Sequence, residues 1–183
     1  MENPSTLEAY NRIIQDCKTL FLKKNQDYGT SWTIMRPSSI TDQIYIKAQR
    51  IRSIEEKGVK KISDSIEEEY IGIINYCIIA LMVLQDIHSD RTQINHSYLE
   101  ECYNKQVQET QELMLKKNHD YGEAWRNMRV STITDMLLVR LLRIKEMEEK
   151  GGVTQVSEGI DSNYRDMINY AIFALILLNY KPQ

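Results

Sequence analysis

The chain has 183 residues, of which 42% are hydrophobic and 27% charged, and its 23 Lys and Arg against 26 Asp and Glu give a net charge of −3 at pH 7. This composition argues against intrinsic disorder, because enough apolar surface exists to offset the loss of chain entropy. The net negative charge argues against binding to long nucleic acid, whose phosphates are also negative. The longest apolar run, 170–178, is far shorter than the ~20 residues that cross a bilayer, and no basic and apolar leader is visible, so we expect a cytoplasmic protein without a membrane partner.

The sequence contains an internal duplication. Residues 10–57 align with residues 103–150 without a gap and with roughly half the positions identical, and the alignment continues past one inserted glycine to the C-terminus. Two such units are too few for a solenoid, so we expect a fused pseudo-dimer. We expect the chain to divide into a first half (1–87), a polar linker (88–96) and a second half (97–183). The two halves are expected to pack together as one globular unit. The sequence leaves the oligomeric state open, a homo-oligomer included.

Three helices are expected in each half. Apolar residues at helical spacing predict the first helix from a Ser5 or Thr6 cap to the stop at 27–29. The second is expected at about 41–57 with Gly58 as its C-cap, and the third from about 63–65 to about Leu84.

The third helix is apolar nearly all round, which is typical of a buried element. The second half repeats the pattern from about Ser97 to Tyr180, and no alternating run supports a strand. We therefore predict an all-α six-helix bundle made of two pseudo-twofold-related three-helix repeats.

Acidic residues concentrate where the second and third helices of each half meet. Short loops force these helices into antiparallel hairpins, and carboxylates on two facing helices can supply the oxygen ligands that magnesium requires. The alternative is that the acids cap helix ends, interact with the helix dipole or are simply solvated. The predicted ligands for magnesium or manganese are Glu55 and Glu67 in the first half, and Glu148, Glu149, Glu158, Asp161 and Asp166 in the second.

A second feature is the motif Lys-Lys-Asn-x-Asp-Tyr-Gly-x-x-Trp, which occurs at 23–32 and at 116–125. Lysine can bind phosphate, Asn and Asp can hydrogen-bond a sugar or base edge, and an aromatic ring can stack on a base. The alternative is a helix C-terminus whose Trp packs into the core. With nearby arginines, the predicted nucleotide-binding residues are Lys24, Asp27, Tyr28, Trp32, Arg36 and Arg50 in the first half, and Lys117, Asp120, Tyr121, Trp125, Arg129 and Arg143 in the second.

One position differs in chemistry between the halves. Asp166 lies in the third helix of the second half where the first half has Gly72, and the antiparallel pairing predicts that Asp166 lies level with Arg140 and Arg143. It is either one partner of an ion pair or a catalytic acid that the first half has lost.

With these residues in view, both halves resemble the nucleotide-modification-associated domain 1 family. The resemblance lies in the motif just described, in the pattern Arg140-x-x-Arg143 with its counterpart Lys47-x-x-Arg50, and in Glu158-x-x-Asp161-x-x-x-x-Asp166-x-x-Asn169-Tyr170. That family is distantly similar to the all-α MazG-like and dimeric dUTPase nucleoside triphosphate pyrophosphatases. Those enzymes use acids from two helices to bind magnesium and cleave between the α and β phosphates.

The acidic pattern of those enzymes is incomplete in each half. Asn163 stands where a Glu is expected one turn before Asp166, and Gly72 stands where an Asp is expected one turn after Glu69. The two halves either complement each other or retain the scaffold without the activity.

The resemblance implies magnesium-dependent hydrolysis of (deoxy)nucleoside triphosphates to monophosphate and pyrophosphate, with Glu158, Asp161 and Asp166 as the catalytic acids. The alternative is a non-catalytic helical nucleotide-binding or assembly module derived from such an enzyme. In either case the expected partner is a small nucleotide.

Overall fold

The computed structural model describes residues 4–59, 61, 63, 65–85, 87, 94–152 and 158–180. Within these residues no β-strand forms, none of the helices is long and apolar enough to span a bilayer, and the all-α prediction is confirmed. A short 3₁₀ turn follows the first helix of each half, at Ser31–Ile34 and Ala124–Asn127. The six helices are α1 (Thr6–Tyr28), α2 (Pro37–Lys57), α3 (Ile66–Leu84), α4 (His96–Tyr121), α5 (Val130–Glu149) and α6 (Ile160–Asn179).

Two helices of the first half begin with a capping box. Ser5 caps α1, and the Glu8 carboxylate accepts a 2.8 Å hydrogen bond from the Ser5 backbone N–H. Ser65 caps α3 in the same way, with Glu68 accepting from the Ser65 backbone N–H at 2.6 Å. These reciprocal bonds satisfy backbone groups that the helix itself leaves unpaired, and they fix both glutamates in place.

Two predicted helix starts differ from the structure. The second helix begins at Pro37 rather than near residue 41, because the fixed φ of proline suits the first helical position and its missing N–H is not needed there. The fourth begins at His96, one residue earlier than predicted, because Asn95 accepts a hydrogen bond from the backbone N–H of Tyr98. Gly58 is confirmed as the C-cap of α2, with φ +65°. Residue 64, part of the predicted α3 start, lies outside the described residues.

The core is a bundle of four helices, two from each half. α3 packs mainly on α6 and α2, while α5 packs on α2 and α6, and α1 and α4 cover α3 and α6 from outside. Most residues in the second halves of α3 and α6 are buried, as their apolar sequences predicted. The two repeats therefore share one core.

Two reciprocal hydrogen bonds show the pseudo-twofold relation. The Tyr10 hydroxyl on α1 donates to Oδ1 of Asn169 on α6 at 3.0 Å, and its counterpart Tyr103 on α4 donates to Oδ1 of Asn75 on α3 at 2.8 Å. Each asparagine also donates from Nδ2 to a backbone carbonyl of the first helix in its own half. All four side chains are buried, so each bond fixes the first helix of one half against the third helix of the other.

These bonds predict the effect of removing one hydroxyl. Tyr10→Phe and Tyr103→Phe each leave a buried asparagine oxygen without its donor, so each should lower the free energy of unfolding by about 1–3 kcal/mol. Urea denaturation measures this change. Tyr121→Phe is the control, because Tyr121 is 73% exposed. Unfolding midpoints at the wild-type value for both buried variants would contradict this account of the interface.

Candidate functional site

The motif of the first half forms the end of α1 and the turn after it. The helix stops at Gly29, whose φ of +64° favours glycine over residues with a side chain. Asn25 donates from Nδ2 to the Phe21 carbonyl at 2.8 Å and accepts from Nε1 of Trp32 at 3.0 Å. The asparagine thus holds the indole of the 3₁₀ turn against the last turn of the helix.

A cavity of about 490 Å³ opens beside this turn, and it is called the first-half cavity below. The motif residues Lys24, Tyr28 and Trp32 line it from α1 and the 3₁₀ turn. Lys47 lines it from α2 and Glu69 from α3. Its size falls within the range typical of small-molecule sites, and its walls combine aromatic rings with charged groups. The structure thus brings three of the six residues predicted for the first half together in one cavity.

An ion-paired cluster forms one wall of the first-half cavity. Glu69, whose side chain is 8% exposed, accepts from Lys47 Nζ at 3.2 Å and forms a close ion pair with Arg50. The alkyl chain of Lys47 crosses Gly72, where an added Cβ would lie only 2.8 Å from Lys47 Cε. Gly72 therefore lets the lysine lie flat across α3 and reach the glutamate.

The second half places a different ion-paired cluster in the equivalent region. Asp166 is 5% exposed on its side chain, and its carboxylate lies 2.5 Å from Lys117 Nζ and 2.9 Å from Nη2 of Arg140. This arrangement supports the ion-pair alternative for Asp166, with Arg140 and Lys117 as its partners. Arg143, the other predicted neighbour, is exposed on α5.

The aromatic packing of the two halves also differs. Trp125 stacks face to face on Phe173, with ring centroids 4.2 Å apart and planes 2° apart. The residue equivalent to Phe173 is Ile79, which lines the first-half cavity. Lys117, Asp166 and Phe173 thus stand at the positions of three residues that line that cavity, namely Lys24, Gly72 and Ile79.

Two predicted metal ligands instead bridge the halves. Thr134 donates to Glu55 at 2.9 Å, and Thr41 donates to Glu148 at 2.7 Å. Each threonine also lies within hydrogen-bond distance of a buried tyrosine hydroxyl, Tyr70 at 2.9 Å and Tyr164 at 2.6 Å. The result is two equivalent hydrogen-bonded networks across the pseudo-twofold interface, each made of a tyrosine, a threonine and a glutamate. Burial raises the pKa of Glu55 and of Glu148, and the threonine hydrogen bonds oppose that rise.

The other predicted ligands lie at the helix ends. Glu67 is half-buried, and Glu149, Glu158 and Asp161 are exposed. In the part of the chain that the structure describes, no group of three or more His, Cys, Asp or Glu side chains is arranged to hold a metal ion. Asp166, the most deeply buried of the predicted ligands, already has two cationic partners. The described donor set therefore does not fit a magnesium ion in this arrangement, and the magnesium requirement stays a prediction.

The remaining predicted nucleotide-binding residues do not line the first-half cavity. Apart from half-buried Lys117 and buried Trp125, described above, they are exposed, or in the case of Arg50 half-buried and paired with Glu69: Asp27, Arg36, Arg50, Asp120, Tyr121, Arg129 and Arg143. Lys47 and Glu69 line the cavity but were not among the binding residues predicted from the sequence. Gly72 was the sequence signal that could have indicated the cavity. It lies one turn after Glu69 and has no side chain to fill the space above α3.

A comparison with family models finds one match that occurs twice. The model described as "Nucleotide modification associated domain 1" matches residues 24–84 and 117–178, which together make up more than half of the chain. Each match begins at the second lysine of the motif and extends through the third helix of its half. No curated protein and no solved structure matches the chain.

The Asp166 cluster predicts a structural role for this carboxylate. In Asp166→Asn, Arg140 and Lys117 lose the charge that balances them, so the free energy of unfolding should fall by about 1–3 kcal/mol; partial exposure of Lys117 keeps the loss below that of a fully buried pair. Urea denaturation measures the loss. Asp120→Asn, at an exposed aspartate, should leave the midpoint unchanged. Wild-type stability in Asp166→Asn would contradict the structural role.

The two interface glutamates predict a pH dependence. Because their pKa is raised on folding from the ordinary value of 4.5, the fold favours the protonated carboxyl and loses stability as the pH rises through the raised pKa. Glutamine cannot ionise. The unfolding free energy of Glu55→Gln/Glu148→Gln relative to wild type should therefore increase from about pH 4 to about pH 7. Glu112→Gln, at an exposed carboxylate, is the control. A difference that stays constant with pH would show that neither carboxyl titrates abnormally.

Proposed function

The chain belongs to the nucleotide modification associated domain 1 family, and we propose that it binds a nucleotide in the first-half cavity. The observation that carries this proposal is the convergence of Lys24, Tyr28 and Trp32 on one cavity. These are the side chains of the repeated motif whose chemistry suits a phosphate and a base.

The cavity offers one aromatic ring held by a hydrogen bond and one exposed aromatic ring. Trp32 is half-buried and held by its hydrogen bond to Asn25, so its ring is oriented before a ligand arrives. Tyr28 is 72% exposed at the opening of the cavity and is able to close over a bound base. Stacking on such rings tolerates any base, because every base has a π face. Lys24 is exposed on the last turns of α1, where its ammonium group can reach a phosphate.

Binding is supported better than hydrolysis. The hydrolysis that the resemblance implies requires carboxylates that are available to a magnesium ion. The two deeply buried acids of the equivalent regions, Glu69 and Asp166, are each balanced by two cationic side chains. We therefore propose a nucleotide-binding module, the non-catalytic alternative to the hydrolase.

Matched tyrosines in the two halves test the location of the site. Tyr28→Ala should weaken nucleotide binding about 5- to 100-fold, because a stacking aromatic ring contributes about 1–3 kcal/mol per base. Tyr121→Ala removes the equivalent, equally exposed ring from the second half and should leave the affinity unchanged. Isothermal titration calorimetry with a panel covering the bases and both sugars measures the affinities. Equal losses in the two variants would contradict the assignment to the first half.

The same panel distinguishes binding from turnover. Each nucleotide is incubated with the protein with and without magnesium, and pyrophosphate and monophosphate are measured. The proposal expects saturable binding without magnesium and no release of either product. Magnesium-dependent pyrophosphate release that is lost in Asp166→Asn would instead support the hydrolase.

A further inference from the structure

The charges that line the first-half cavity limit the charge of its ligand. We infer that the cavity takes a nucleoside carrying at most one phosphate group rather than a nucleoside triphosphate. This inference rests on the proposed function and specifies the class of ligand. It depends on three features of the cavity: the balance of its charges, the pairing of one of its lysines and the fixed position of a glutamate in its wall.

The lining of the cavity is electrically balanced. Four charged side chains line it, and two of them are positive and two negative: Lys24, Lys47, Glu68 and Glu69. A phosphate monoester carries a charge of about −2 near neutral pH, and each further phosphate of a chain adds about −1. Because the described donor set does not fit a magnesium ion that would neutralise a triphosphate, such a site here needs a marked excess of cationic side chains. Even with Arg50, which pairs with Glu69, the described side chains at the first-half cavity have an excess of only one positive charge.

One of the two lysines is already engaged by an acid. Lys47 donates to Glu69 at 3.2 Å, and the flat course of its chain across Gly72 holds it there. A phosphate that recruits Lys47 must first compete with this nearly buried carboxylate. Within the described ranges, Lys24 makes no ion pair, so it is the one lining lysine that is not already engaged by an acid. One such lysine suits one phosphate group.

A fixed glutamate opposes a longer phosphate chain. Glu68 lines the cavity, and its carboxylate is held by the Ser65 backbone N–H at 2.6 Å as part of the capping box of α3. It cannot swing away without loss of that cap. The Debye length is about 8 Å at physiological ionic strength, so this carboxylate repels phosphates that extend along the cavity. Each added phosphate then meets repulsion without a new cationic partner.

Affinities for one base at four levels of phosphorylation test the inference. The nucleoside and its mono-, di- and triphosphate are titrated into the full chain by calorimetry in magnesium-free buffer containing a chelator. The first phosphate should raise the affinity about tenfold, because it gains a charge-assisted hydrogen bond to Lys24. The second and third should leave it unchanged or lower it. A further tenfold or greater gain from mono- to triphosphate would overturn the inference while leaving the proposed function intact. Failure of all four to bind, whichever base they carry, would overturn both.

Two matched pairs of variants identify the residues responsible. Lys24→Gln should remove the affinity difference between nucleoside and monophosphate, whereas Lys23→Gln, at an exposed lysine that does not line the cavity, should preserve it. Glu68→Gln should raise the affinity for the triphosphate relative to the monophosphate. Glu8→Gln changes the equivalent acid of the α1 capping box, away from the cavity, and should not. Thermal melts confirm that each variant folds. An unchanged phosphate preference in both Lys24→Gln and Glu68→Gln would overturn the inference.

Discussion

The two buried tyrosine–asparagine hydrogen bonds across the pseudo-twofold axis are the constraint on which the rest of the structure depends. Each joins the first helix of one half to the third helix of the other, and each asparagine is also tied to the first helix of its own half. The third helices are therefore anchored to both halves at once. This explains why two three-helix repeats form one core, and why the end of α1, with its motif, is held against α3 at a fixed distance. The first-half cavity lies between the end of α1, the 3₁₀ turn that follows it, α2 and α3.

The same scaffold carries two different arrangements of charge. In the first half the buried acid is Glu69 and the position one turn later is Gly72, whereas in the second half the earlier position is Asn163 and the later one is Asp166. Moving the acid by one turn changes which lysine neutralises it. Lys47 on α2 pairs with Glu69, but Lys117, from the motif at the end of α4, pairs with Asp166.

The consequence is a difference in what the motif lysine can do. In the second half Lys117 forms an ion pair with Asp166, and the ring of Phe173 stacks on Trp125. In the first half the equivalent Lys24 lines a cavity beside Trp32, and it forms no ion pair with an acid among the described residues. Duplication therefore left two motifs with similar sequences and different surroundings. The third helices, which carry Gly72 in one half and Asp166 in the other, therefore separate the roles of the two motifs.

The sequence was sufficient to predict features that depend on residues close together along the chain. Apolar periodicity predicted the helices, Ser5 and Gly58 marked helix ends, and the duplication predicted the pseudo-twofold relation. The sequence was not sufficient to predict contacts between side chains that lie far apart along the chain, because the packing of the helices determines those contacts. The acids Glu55 and Glu148 looked like metal ligands because they cluster along the chain, yet they accept from threonines of the opposite half. Lys117 belongs to a turn motif by sequence, and its pairing with Asp166 depends on how α4 lies on α6.

The most direct test of the account uses the two indole N–H groups as reporters. In a ¹⁵N–¹H NMR titration with a nucleoside monophosphate, Trp32 reports on the first half and Trp125 on the second, and Trp125→Phe assigns the two signals. The account predicts that the Trp32 signal moves saturably, since its ring lines the cavity, while the Trp125 signal stays in place beneath Phe173. Movement of the Trp125 signal alone, or of neither signal at saturating ligand, would contradict the claim that the first-half cavity binds the nucleotide.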